Sequence, residues 1–455
     1  MSVQSYSKLF GCNVHGSIRV SPTALRIVDT SEFQRMRGIK QLALCYFVYP
    51  AAMHTRFEHS LGVYHLAGKI LEKIQQEYPD KEYIIPELGP NPIKLSQKII
   101  ECIKIAGLCH DIGHGPFSHI FDDILLQNSI HPNKYHETRS CLITEILCRR
   151  ELQNEFDDNY IQFIKSIIDP KEHHRGALYQ IVSNKLNGID VDKFDYLSRD
   201  SKNLGITTGF SANRLINEFI IDNNGNIAYP KHCSSDIYEM FHSRYMMHKK
   251  VYSHKTVKII ELMLVDIFMK VDNIFSISKS IDNMELFCQL TDNTIFSYIR
   301  SIISPQPFLK INLNEEQYEK IKKANDILQN IISRNLYQQI FEIADNGQQI
   351  ENDMNEFVGY LQNNFDVKLE DFATIKINVG FVSGNPLNDP FKSIYFYDKK
   401  ENSKTFTIDK NYFSGLMNNQ IQETRWHLIC KNKDIDPNFV TNQWNTYILN
   451  YPSQR

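Results

Sequence analysis

The chain has 455 residues, 42% of them hydrophobic, with 50 basic and 53 acidic side chains and a formal net charge of -3. That length exceeds one small core, and so even a charge balance excludes a global field that would gather nucleic acid or an anionic membrane; any anion site must be local. The nine cysteines are odd in number and form no C-x-x-C pair, which argues for reduced thiols and against a secreted disulfide frame or a zinc ribbon.

Residues Met1 to Phe10 carry neither a signal-peptide nor a presequence pattern. The most apolar stretch, Val257 to Val271, is broken by Lys258, Glu261, Asp266 and Lys270, so it reads as an amphipathic helix. A protein of the nucleus or cytoplasm is expected, neither secreted nor in a membrane. From Ile18 to about Gly205 the pattern is mostly helical, with a short apolar run Cys45 to Tyr49 closed by Pro50. Between Glu58 and Tyr78, His59, Val63, Leu66 and Ile70 share one helix face, which points His59 inward. Over Leu95 to Cys109, Ile99, Ile103, Ala106 and His110 share a face, and Gly113 with Gly115-Pro116 stops the helix just past His110-Asp111.

Gly188 to Ser201 repeats the design, with Asp192, Asp195, Tyr196 and Arg199 on one stripe that is too polar for a simple core. Helices are expected at Ser235 to Tyr252, Thr256 to Ile274 and Asn312 to Ala344, the last with a weak point around Leu313-Asn314. Beyond about Glu351 come short β-like runs, Thr374 to Val382, Ile394 to Tyr397 and Lys404 to Ile408, separated by turn residues. The expected architecture is mainly α: a helical catalytic body over 1–350, its motifs at about 54–200, and a smaller mixed α+β C-terminal lobe over 351–455.

His59, His110, Asp111 and Asp192 offer two imidazoles and two carboxylates, a set that suits Zn, Fe, Mn or Mg and selects none of them. One inward histidine is more often a hydrogen-bonded core residue than a ligand. Four such groups together are another matter, because buried carboxylates without a cation or partner each cost several kcal/mol. Beyond the helix stop, His114 and His119 straddle Gly115-Pro116, so the chain can fold back to bring His119 and Asp122 to the open side of a bound ion. There a histidine supported by a carboxylate can act as general acid. The competing reading makes Asp122-Asp123 the acidic first turn of a helix. Arg56, Lys193 and the series Arg244, His248, Tyr252 and Lys255 bring cations near the same motifs, which suggests a polyanionic, phosphate-bearing substrate.

The stretches H-T-R-F-E-H-S-L-G-V (54–63), A-G-L-C-H-D-I-G-H-G-P-F-S-H (106–119), H-E (136–137) and G-I-D-V-D-K-F-D-Y-L-S-R-D (188–200) resemble the HD-domain deoxynucleoside triphosphate triphosphohydrolases. More closely, the chain is similar to the catalytic part of those members that join a sterile alpha motif to the HD domain, here with no such motif ahead of it. The similarity runs from about Lys8 to at least Lys255 and more faintly beyond. It implies a helical HD-domain phosphohydrolase core and the metal ligands His59, His110, Asp111 and Asp192. It implies His119, Asp122 and His136 as the catalytic group near the α-phosphate. Arg56, His114, Lys193, Tyr196 and Arg244 would hold triphosphate or sugar, with Gln41, Leu42 and Tyr252 near the deoxyribose. The implied reaction is attack of water at the α-phosphorus of a dNTP, dGTP included, giving deoxynucleoside and inorganic triphosphate.

The same resemblance implies a homo-oligomer, dimer or tetramer, activated by GTP or dNTPs. Lys8, Asp29, Gln34, Arg37 and Arg334 match one activator site, although Gln338 stands where the family has a lysine. Arg214, His254, Lys255 and Lys399 match a second, where Gly11, Pro230 and His232 replace one polar and two basic residues. Each charged hydrogen bond lost there weakens triphosphate binding by roughly 1.5 to 3 kcal/mol. Two other readings share these residues: an HD phosphohydrolase of nucleoside monophosphates or cyclic nucleotides, and a protein that binds nucleotides or single-stranded nucleic acid.

Overall fold

The computed structural model describes residues 6–127, 129–171, 173–304, 311–344, 349–381, 389–413 and 422–450 and is mainly α-helical. The chain gathers into two compact units, one of Met1–Arg244, Ser276–Ser297 and Leu387–Met417, the other of Tyr245–Phe275, Tyr298–Pro386 and Asn418–Arg455. No helix among the described residues is long and apolar enough to cross a membrane.

The first unit opens with an antiparallel hairpin, Lys8–Cys12 with Gly16–Val20, whose turn ends at Gly16 with φ of 75°. Its helical body is built from segments with their own start signals. Thr55 and Glu58 form a capping box at the Arg56–Glu77 helix, Ser96 caps Gln97–Cys109, and Asp190 caps Val191–Leu204; each such cap is worth about 1 kcal/mol. Leu61, Val63, Leu66 and Ile70 on the first helix and Ile99, Ile103 and Ala106 on the second are all buried where these helices pack. Each large aliphatic side chain so buried contributes roughly 1.5 to 3 kcal/mol. The Arg56–Glu77 helix packs on Val191–Leu204 as well, and Gln97–Cys109 packs on Asp158–Ile168. These contacts bring the faces bearing His59, His110 and Asp192 together. Ile227–Pro230 pairs in parallel with Tyr395–Asp398 at the centre of a four-stranded sheet in the same unit.

In the second unit the Lys255–Phe275 and Glu315–Ile332 helices pack together. A three-stranded antiparallel sheet has Gln422–Cys430 between Gln338–Ala344 and Phe372–Gly380. Phe357, Trp426, Leu428 and Trp444 are buried in its core.

The helix expected over Asn312 to Ala344 is shorter than the pattern suggests. An Asn314–Gln317 capping box starts it at Glu315, it stops at Ile332, and Arg334 turns the chain with φ of 62°. Residues 338–344 then pair as a strand, because main-chain bonding to the Gln422–Cys430 strand outweighs local helix propensity. Ile18 to Val20, expected in helical texture, belong to the hairpin. The β-like run from Thr374 matches the strand Phe372–Gly380, and Val382 lies outside the described residues.

Candidate active site

His59 sits one turn into its helix and is fully buried. Its Nδ1 lies 2.8 Å from Asp195 Oδ2 and its Nε2 lies 3.1 Å from Asp192 Oδ1. Asp192 and Asp195 are three residues apart on the Val191–Leu204 helix, so one helical face grips both nitrogens of the ring. The two helices approach this closely because of Gly62. A Cβ there would stand 1.8 Å from Asp195 Oδ1 and 2.6 Å from an Arg199 guanidinium nitrogen.

His110 is the C-cap of the Gln97–Cys109 helix, and its Nδ1 donates to Gly107 O at 2.8 Å. Its Nε2 is buried with no hydrogen-bond partner, 3.4 Å from both Asp111 Oδ1 and Asp192 Oδ1. With Nδ1 donating, that nitrogen holds a lone pair facing carboxylate oxygens, an arrangement of acceptors alone. His59 is oriented alike, with Nδ1 toward Asp195 and Nε2 toward Asp192 Oδ1 at 3.1 Å. Ligand atoms of His59, His110 and Asp111 all lie within 4.8 Å of one another. Acceptors converging in this way fit a divalent cation, and the carboxylate and carbonyl behind each ring fix the tautomers that ligation requires.

The electrostatics carry the same demand for positive charge. Burial opposes charging His59, yet hydrogen bonds to Asp192 and Asp195 raise it to about 10. His110 is also raised, burial again opposing and Asp111 and Asp192 winning. Burial would push Asp111 and Asp192 up, but both are held well below the usual carboxylate range, Asp111 chiefly by Arg56 and Asp192 by His110 and His59.

Past His110-Asp111 the chain makes a strained loop. Phe117 and Ser118 take φ of 60° and 56°, left-handed values that cost non-glycine residues roughly 1 to 2 kcal/mol each. Asp292 accepts from Phe117 N and Lys40 N at 2.8 Å, and Arg56 Nε donates to Ser118 Oγ at 2.9 Å. Arg35, buried, donates to the carbonyls of Leu290, Ile112 and His114 at 2.7, 3.1 and 2.6 Å. Gly113 permits the crossing of the next helix, because a Cβ would meet His136 O and Ser140 N at 2.3 Å.

This loop gathers three histidines. The rings of His114 and His136 lie 3.9 Å apart, and His119 is 5.6 Å from His114 and 6.1 Å from His136. His114 is buried and held well below the usual imidazole range by that burial and by Arg56, so it is neutral at pH 7. Asp122 lies in a π turn, Phe121–Leu125, and not in the first turn of a regular helix. Its Oδ2 is 2.9 Å from His136 Nδ1 and its Oδ1 pairs with Arg139. The carboxylate expected to support His119 therefore supports His136. His119 is 69% exposed, its nearest carboxylate being Asp123 at 3.9 Å.

Among the residues expected to bind substrate, Arg56 pairs with Asp111, Lys193 Nζ lies 3.1 Å from Asp190 Oδ2, and Arg244 is buried in the same unit. The Tyr196 hydroxyl is raised by burial, with Arg244 and Lys193 pulling the other way. Gln41 Oε1 is buried without a partner, and Leu42 lies next to it in the chain. Tyr252 is in the second unit, its ring 4.9 Å from His248.

The expected activator positions fall in both units, and in the first unit Lys8 and Arg37 are linked through the neighbouring rings of Phe10 and Phe57. In the first unit Arg37 Nε donates to Gln34 Oε1 at 2.8 Å, and Lys8 stands over the Phe10 ring. Arg214 pairs with Asp236 at 3.1 Å, and Lys399 with Glu218 at 2.7 Å. Asp29 is the C-cap of the Pro22–Val28 helix. His254, Lys255 and Arg334 belong to the second unit.

Asp195, Arg199, His15, Arg35, Arg139 and Asp292 were not among the expected site residues. Asp195 and Arg199 were visible as members of a polar stripe; the others act on backbone carbonyls, amides or a distant carboxylate and leave no motif.

The HD domain family model matches residues 56–200. The chain is 60% identical over 440 residues to the HD domain-containing protein L394 of Acanthamoeba polyphaga mimivirus, covering 96% of this chain and 94% of that protein. It is 34% identical to the deoxynucleoside triphosphate triphosphohydrolase SAMHD1 homolog of Dictyostelium discoideum, covering 95% and 79%. To the Homo sapiens deoxynucleoside triphosphate triphosphohydrolase SAMHD1 it is 33% identical, covering 96% and 72%. The chain belongs to the SAMHD1 family of HD-domain deoxynucleoside triphosphate triphosphohydrolases.

Proposed function

We propose that this chain hydrolyses dNTPs to deoxynucleoside and inorganic triphosphate, at a divalent cation held by His59, His110, Asp111 and Asp192. The observation that carries the reading is the buried, partnerless Nε2 of His110 facing the carboxylates of Asp111 and Asp192. When bound, such a cation polarises a phosphoryl oxygen and acidifies water.

The chain's own groups supply the rest. Arg56, Lys193 and Arg244 offer positive charge to the triphosphate, and neutral His114 can accept or donate one hydrogen bond without adding charge. Breaking the bond between the α-phosphorus and O5′ leaves an alkoxide that needs a proton. His136, fixed through Nδ1 by Asp122, presents its other nitrogen for that transfer once protonated, and the exposed His119 ring lies 6.1 Å from it. Gln41, Leu42 and Tyr252 are assigned to the deoxyribose, and dGTP is taken to be among the substrates.

Nucleotide activation through Lys8, Asp29, Gln34, Arg37, Arg214, His254, Lys255, Arg334 and Lys399, in a homo-oligomer, completes the proposal. Incubation with each dNTP, Mg and a transition metal, with and without GTP, is expected to release triphosphate, and Asp111→Ala to release none. Absence of triphosphate in every combination contradicts the reading. Sedimentation with and without nucleotide tests the oligomer.

A further inference from the structure

Arg139 lies one turn into the His136–Glu151 helix and is completely buried. Its Nε donates to Gly113 O at 2.8 Å, and its Nη1 to Asn133 O at 2.7 Å and Lys134 O at 2.8 Å. Its Nη2 pairs with Asp122 Oδ1, and its plane lies near the rings of Phe121 and Phe287, 5.4 and 5.0 Å from their centroids. These partners lie on the three segments that carry the histidine cluster. Gly113 precedes His114, Asn133 and Lys134 lead into His136, and Asp122 holds His136 Nδ1.

We infer that Arg139 is the positioning residue for His136. By taking Asp122 Oδ1 it aims Oδ2 at His136 Nδ1, which fixes the ring's tautomer and turns its other nitrogen toward the reacting phosphate. The planar guanidinium is needed because its fork meets a carboxylate and three carbonyls at once, a pattern a lysine ammonium cannot reproduce. Without it, Asp122 is a buried carboxylate with one partner missing and no fixed rotation, and His136 loses its orientation. The kinetic half of this inference rests on the proposed triphosphohydrolase activity; the orientation of His136 does not.

Two measurements on the full chain test it. In kinetics, Arg139→Met is expected to lower kcat by about tenfold to a hundredfold, the scale of a small misplacement of a reacting group, with KM and metal content unchanged. Arg139→Lys should fall between it and wild type. Asp122→Asn combined with Arg139→Met, which removes both buried charges and so guards against misfolding, should be no slower than Asp122→Asn alone. Arg149→Met, on the exposed side of the same helix, should match wild type.

In nitrogen-15 histidine spectra, assigned with His136→Gln, His136 should show one tautomer protonated at Nδ1 in wild type and a mixture in Arg139→Met. Losses that multiply in the double variant, or a single unchanged tautomer in Arg139→Met, overturn the inference. If the wild-type chain releases no triphosphate from any dNTP, the proposed activity fails, and the tautomer spectra alone decide the role of Arg139.

Discussion

His59 Nδ1 lies 2.8 Å from Asp195 Oδ2, and that carboxylate also meets His15 Nε2 at 2.6 Å and Arg199 Nε at 2.8 Å. The β-hairpin, the His59 helix and the Asp192 helix are thus joined at one buried anion, and the anion determines which nitrogen of His59 faces the proposed ion site.

Asp195→Asn keeps the shape and removes the charge. It is expected to weaken divalent metal binding by about tenfold to a hundredfold, the usual loss when the hydrogen-bond partner of a ligating histidine is changed. Metal content after dialysis against graded chelator measures this without any assay of activity. Unchanged retention would show that the Asp195 contact does not support the site.

Gly62→Ala probes the same relationship by volume. The added methyl would stand 1.8 Å from Asp195 Oδ1, so overpacking should cost about 1 to 3 kcal/mol and reduce metal retention. Gly68 is six residues further along the same helix, where a Cβ meets only the Lys104 side chain, at 3.6 Å. Gly68→Ala should be neutral or stabilising, by up to about 1 kcal/mol from helix propensity. Chemical denaturation of both variants checks the contrast, and equal behaviour would contradict it.

His65 gives the pH dependence a sign. Burial, helped by Lys69 and His15, lowers it from 6.5 to about 4, and its Nε2 is buried without a partner. Between those values the unfolded chain binds the proton and the folded chain does not, so stability rises with pH across the window. This contribution is fully present above 6.5, falls as the solution is acidified, and is lost by about 4. Denaturation midpoints at pH 7 and pH 5 should draw closer together in His65→Gln than in wild type; an unchanged difference would remove His65 from the account.

The four residues proposed as ligands could be read from the sequence because helical spacing alone aligns His59 with an apolar face and sets Asp192 on a polar stripe. The pairing of Asp122 with His136 was not legible, because it depends on a π turn and on a guanidinium that enters from the following helix. Arg35 and Asp292 act through backbone carbonyls and amides far away in the chain, and no spacing rule marks such contacts. The Arg56–Glu77 helix lies within two residues of its expected bounds, whereas the Glu315–Ile332 helix ends twelve residues before its expected end. The strand Gln338–Ala344 was missed because its partner lies some 80 residues further on, and pairing at that separation overrides local propensity.

Water attack at the α-phosphorus of a dNTP can be traced by hydrolysis in oxygen-18 water with mass analysis of the products. Inorganic triphosphate should carry one oxygen-18 and deoxynucleoside none, because the bond between the α-phosphorus and O5′ is the one that breaks. Release of pyrophosphate or orthophosphate in place of triphosphate, or label in the nucleoside, would contradict it.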